Sequence, residues 1–175
     1  MTAKTKRQRA IAKHDDLVGL TRYQLYLKAW ERIRSATDAG YHLEAITLLE
    51  SLLTDRLESR ASHLAGQNMG YQNLGPLVKS LRKHENVADF LKILDEVDRW
   101  RKHRNEAVHE MVKFQAGEHP SWEQKIEPLP RIVREGKRVL RAFDAIDKRE
   151  RRRNGAGLTA TEPAAFADDH SAAVI

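Results

Sequence analysis

Apolar residues recur along this chain with a helical period, and no stretch alternates as a half-buried strand would. Tyr23, Tyr26, Leu27, Trp30 and Ile33 follow an i, i+3, i+4, i+7 stripe and predict a helix over about 21–38, which Gly40 ends. A second helix is expected over about 41–64. Ile46, Leu49, Leu53 and Leu57 line its core face, with Ala45, Leu48 and Leu52 beside them. So broad a stripe belongs to the centre of a bundle, packed by at least two neighbours. Its carboxylates Glu44, Glu50, Asp55 and Glu58 fall on the polar edge and read as a solvated face. Gly66, Gly70 and Gly75 mark a loop, and Pro76 suits the first turn of a short helix through Leu77, Val78 and Leu81.

Asn86 is the expected N-cap of the next helix, whose stripe is Val87, Phe90, Leu91, Leu94 and Val97, ending at Trp100. The pattern resumes at Ala107, Val108, Met111 and Val112, so 86–114 is one helix or two separated by a kink near 101–104. A proline-containing loop fills 117–130. The last helix, about 130–151, buries Ile132, Val133, Val139, Leu140, Phe143 and Ile146 and turns an arginine-rich face outward. From Asn154 the stripe is absent and a disordered tail is expected. The reading is an all-α bundle of about five helices over 15–152, between a basic arm (1–14) and the tail (153–175).

Composition narrows this. The chain has 175 residues, 41% of them hydrophobic, which is enough for one core. No uncharged apolar run is long enough to span a membrane, and the basic N-terminus has no apolar segment of a secretory signal. With no cysteine there is no disulfide frame, thiolate metal site or thiol nucleophile. A small cytoplasmic protein is expected. Its net charge of +6 sits on the flanks: residues 1–13 hold five bases and no acid, and 131–153 hold ten bases against four acids. Such flanks favour a polyanionic partner, although a solvated arm and helix face would look the same.

Most catalytic signatures are missing, among them the Walker loop, the Gly-x-Ser-x-Gly elbow and His-Glu-x-x-His. The histidines do not pair at metal-ligand spacing, so neither metal nor cofactor is expected. What stands out is Arg104-Asn105-Glu106-Ala107-Val108-His109. The bare Arg-x-x-x-x-His spacing also occurs at Arg9 to His14, inside the basic arm. At 104–109, however, Ala107 and Val108 continue an apolar stripe, and Asn105 and His109 share a helix face. Arg104 and His109 are i, i+5, about 140° apart, and converge only through the length of the arginine or a bend at 104. Arg99, Arg101 and Lys102 add positive charge around the one imidazole, and Arg134, Arg138 and Arg141 recur on the last helix. An imidazole to move a proton and a guanidinium fork to hold a phosphate are what RNA scission requires.

On this motif, on Glu44 to Leu57 and on Leu74-Gly75-Pro76-Leu77-Val78, the chain resembles the HEPN domains of prokaryotic toxin and phage-defence ribonucleases. The resemblance covers about residues 22–148 in helix order and loop placement. It implies a metal-independent endoribonuclease in which the RNA 2′-OH attacks the adjacent phosphate. His109 would transfer protons, Arg104 would hold the phosphate, and Asn105 would orient the site. It also implies a homodimer, since family members pair two motifs across a two-fold axis. In one subgroup the toxin is silenced by modification of a tyrosine two residues after the histidine; here that position is Met111. The alternative is a non-catalytic HEPN module that binds RNA or a nucleotide, or a cognate antitoxin or defence-system protein. A basic DNA-binding protein is a third and weaker reading, for no helix-turn-helix signature supports it.

Overall fold

The computed structural model describes residues 17–153, and all its regular elements are helices. They are α1 (Leu17–Asp38), α2 (His42–Ala65), α3 (Leu74–His84), α4 (Ala88–His109), α5 (Trp122–Ile126) and α6 (Leu129–Arg153). Five are long; α5 is a single short turn inside the proline-containing segment. The basic arm and the tail expected to be disordered lie outside the described residues, as does the Arg9–His14 pair. No described helix is long and apolar enough to cross a membrane.

Helix α2 is the hub, as its broad stripe requires. It packs on α1, α3 and α6, while α4 packs on α6 and α3. Ile46, Leu49, Leu53 and Leu57 of α2 are fully buried. Burial of side chains of this size stabilises the fold by about 1.5–3 kcal/mol each. Trp100, 1% exposed, sits where α4 meets α6, and its Nε1 donates to Ile132 O at 2.9 Å. Gly136 makes room for it: a Cβ there would stand 2.8 Å from Trp100 Nε1. Gly66 closes α2 in the left-handed conformation at φ 63°, the cheapest C-terminal stop for a residue without Cβ.

Four local expectations are corrected. Helix α1 is already formed at Leu17, the first described residue and a turn before its stripe suggests, because Leu17 and Leu20 are exposed and add nothing to the periodicity. Asn86 is not the N-cap of α4. Val87 holds that position, and the Glu85 carboxylate accepts from the Asn86 and Val87 amides at 3.1 and 3.0 Å. Glu85 is itself buried against Arg60, which binds it through Nε and Nη2 at 2.8 and 3.0 Å and lies 4.1 Å over the Phe90 ring. Nor is Val112 part of a stripe; α4 runs unbroken through 101–104 and stops at His109, leaving Val112 exposed. Finally, the polar edge of α2 is not simply solvated. Glu58 is buried and accepts from the Gln72 amide at 2.7 Å, anchoring the α2–α3 loop, and Glu50 is engaged as described next.

Candidate functional site

Helix α4 buries Phe90, Ile93, Val97 and Trp100, and the next position of that stripe is Arg104, four residues past Trp100 and seven past Val97. A charge therefore occupies a position whose register is apolar. Its side chain is only 13% exposed, and Nη2 forms an ion pair with Glu50 of α2. Nη1 donates to Asn105 Oδ1 at 2.9 Å and lies 2.9 Å from His109 Nε2. A guanidinium has donors only, so the imidazole nitrogen facing it acts as acceptor and turns its lone pair toward the arginine. Arg104 Nε is buried with no hydrogen-bond partner among the described residues.

The i, i+5 offset is bridged by reach, not by a bend. Arg104 extends along the helix, and His109, the last residue of α4, meets it at the exposed helix end. Asn105 and His109 share a face but make no direct hydrogen bond; Arg104 joins them. Asn105 starts no helix, since α4 is continuous there. Beyond His109 the chain turns and is held by Lys125, whose Nζ donates to Lys113 O at 2.6 Å and Glu110 O at 3.4 Å. A capping box fixes α5: Ser121 Oγ accepts from the Gln124 amide, and the Gln124 side chain accepts from the Ser121 amide. Val112, Phe114, Trp122 and Ile126 of this region all face solvent.

The six expected RNA-contacting bases divide into two groups. Arg101 and Lys102 pair with Asp98 at 2.9 and 3.7 Å, and Arg138 pairs with Glu96 at 2.6 Å. Burial pushes the Asp98 carboxyl up, but Arg101 and Lys102 outweigh it and hold the group below its ordinary range. Arg99, Arg134 and Arg141 are exposed and have no carboxylate partner among the described residues. Arg141 instead lies 5.5 Å over the Trp30 ring. His103, next to the motif, faces α6 and meets Glu135 at 3.0 Å. Among the described residues no group of three or more histidines, aspartates and glutamates could hold a metal ion.

Sequence reasoning passed over Glu50. Its signal was the anomaly opposite it: an arginine in apolar register needs a counter-charge from the helix it faces. No family model matches the chain, and no curated protein or solved structure matches it either.

Proposed function

We propose that the chain is a metal-independent endoribonuclease of the HEPN type, with Arg104, Asn105 and His109 as its reacting group. The observation that supports this most is the 2.9 Å approach of Arg104 Nη1 to His109 Nε2 at an exposed helix end. A substrate phosphate would take the guanidinium donors and release the imidazole lone pair. His109 then accepts the 2′-OH proton as that oxygen attacks phosphorus. The 5′-oxygen leaves, and the products are a 2′,3′-cyclic phosphate and a 5′-OH. Arg104 offsets the charge that grows on the phosphate, and Asn105 holds Arg104 in place.

One imidazole cannot both take the nucleophile's proton and supply the leaving group's in a single step, so the reading requires two motifs in a homodimer. The exposed Val112, Phe114, Trp122 and Ile126 next to His109 suit a covered surface there. The test is total RNA in EDTA with wild type and His109→Ala. Cleavage should persist with chelator and fall by about 100-fold or more in the variant. Mixed wild-type and His109→Ala dimers should lose most activity. A Mg²⁺ requirement, or activity in the mixture that simply follows the wild-type fraction, would refute the mechanism.

The Glu50 ion pair favours a second reading. It already neutralises Arg104, as suits a non-catalytic module that binds RNA or a partner such as an antitoxin. In that case His109→Ala would bind RNA as wild type does, and neither would cut it.

A further inference from the structure

At the seam between α1 and α6, Arg34, Lys137 and Arg141 have no carboxylate at ion-pair distance among the described residues. The helices run antiparallel there: Tyr26 meets Asp144, Arg141 lies over Trp30, and Lys137 meets Thr37. Trp30, Arg34 and Thr37 share one face of α1 at i, i+4, i+7, and Lys137 and Arg141 share one face of α6 at i, i+4. Lys137 Nζ donates to Thr37 Oγ1 at 3.0 Å, and that hydroxyl donates to Ile33 O at 2.6 Å. The Trp30 face holds the Arg141 guanidinium by cation–π attraction and leaves its N–H fork for another partner.

Lys137 is an exception among covered bases. Arg22, Arg56, Arg60, Arg101 and Arg104 each pair with a carboxylate, and Lys125 has two backbone carbonyls. Lys137, also half-buried, has a neutral hydroxyl and no carboxylate at ion-pair distance among the described residues. Burial lowers its ammonium below the ordinary lysine range. Asp38 pulls the other way, and Arg141 and Arg34 add to the lowering. Desolvation and the mutual repulsion of Arg34, Lys137 and Arg141 together outweigh the pull of Asp38, which leaves Lys137 in a costly place for a cation. A phosphate relieves both terms, since guanidinium forks and an ammonium match its oxygens.

We propose that Arg34, Lys137 and Arg141, brought together along the α1–α6 seam between Trp30 and Thr37, form a phosphate seat for one phosphodiester of an RNA strand, separate from the Arg104–His109 group. The phosphate chemistry follows from the seam alone, whereas RNA as its source rests on the proposed function. A strand is favoured over a lone phosphate because Arg131, Arg134 and Arg138 continue from Arg141 along the outer face of α6. That stripe would track a backbone.

Two titrations of the full-length protein test this. The first adds inorganic phosphate, against chloride at equal ionic strength, and follows backbone amide resonances. Thr37 and Lys137 should shift saturably in the wild type and not in Arg34→Gln/Arg141→Gln. The second measures binding of a 2′-O-methyl RNA oligomer, which has no 2′-OH to attack, as a function of salt. The double variant should bind roughly tenfold more weakly, with a log–log salt slope smaller by about 0.7 for each phosphate seated. Lys137→Met should raise Tm by about 2 °C, because it removes a half-buried cation whose burial and cationic neighbours outweigh the pull of Asp38, whereas loss of a merely structural lysine would lower it. Absence of amide shifts in the wild type, or a lower Tm in Lys137→Met, would overturn the seat. Amide shifts with an unchanged oligomer slope would overturn RNA as its source. Neither titration depends on cleavage. Oligomer binding through the seat in a protein that cuts no RNA would sink the ribonuclease reading and leave the seat standing.

Discussion

Both ends of α4 are tied to α2 by an arginine–glutamate pair, with opposite polarity. At the N-terminal end α2 supplies Arg60 and the chain entering α4 supplies Glu85; at the C-terminal end α2 supplies Glu50 and α4 supplies Arg104. Each charge on the α4 side suits the helix dipole, with the carboxylate at the amide end and the guanidinium at the carbonyl end. The surroundings differ. The Arg60 pair is buried and saturated: two guanidinium bonds, two backbone amides on the carboxylate and a ring beneath the cation. The Arg104 pair lies at an exposed helix end, with an imidazole in contact and one guanidinium nitrogen unsatisfied. The same pairing serves as a fastener where it is complete, and on the proposed function it is the incomplete one that reacts.

The comparison can be broken most directly at its closed end. Glu85→Ala should cost about 3–5 kcal/mol in urea unfolding, since Arg60 would stay buried without its partner. A loss under about 1 kcal/mol would show that the pair is no fastener. At the open end, Glu50→Gln/Arg104→Met should abolish cleavage while leaving the fold as stable or about 1 kcal/mol more so. An apolar side chain there fits the register of Val97 and Trp100, and exchanging an ion pair for packing is often favourable. If that variant loses stability as Glu85→Ala does, the two ends are alike and the contrast fails.

The smallest effect is in acid. Burial pushes the Glu85 carboxyl up, but the Arg60 fork and the Val87 and Asn86 amides outweigh it, so it lies below its ordinary value of 4.5. A group depressed on folding stabilises above its unfolded value, and that contribution is lost as pH falls through the folded one. Stability should therefore decline below about pH 4.5, and Glu85→Gln should flatten the decline. Equal slopes in the two proteins would assign the acid sensitivity to another carboxylate.

The long helices were legible because apolar spacing and the stops at Gly40 and Gly66 are local properties of the chain. The Arg104–His109 approach was legible as a condition, that the arginine reach or the helix bend, and reach is what the fold uses. The partners supplied by other elements were not. Periodicity puts Glu50 and Glu58 on a polar edge, yet one meets an arginine and the other a loop amide. Which helix faces that edge is a tertiary matter. The capping role of Glu85 was hidden by its neighbour, for Asn86 is a good N-cap by type, but a buried carboxylate already bound to Arg60 holds the two amides instead. Ser121 and Gln124 form a capping box that was readable in the sequence and starts a short helix within the proline-containing segment.

The Lys125 clamp makes residues 114–121 a side excursion with its two feet fastened together. The ammonium on α5 reaches back to the carbonyls of Glu110 and Lys113, so the chain leaves and returns at nearly the same place. Gly117, at φ 88°, turns it outward, and a Cβ there would meet nothing within 4 Å. A loop already closed costs little to lengthen, about 0.6 kcal/mol for each doubling. This is where the molecule can accept a grafted peptide or a reporter domain while its bundle stays intact. It is also where such a cargo would sit beside His109 and report on whatever approaches it.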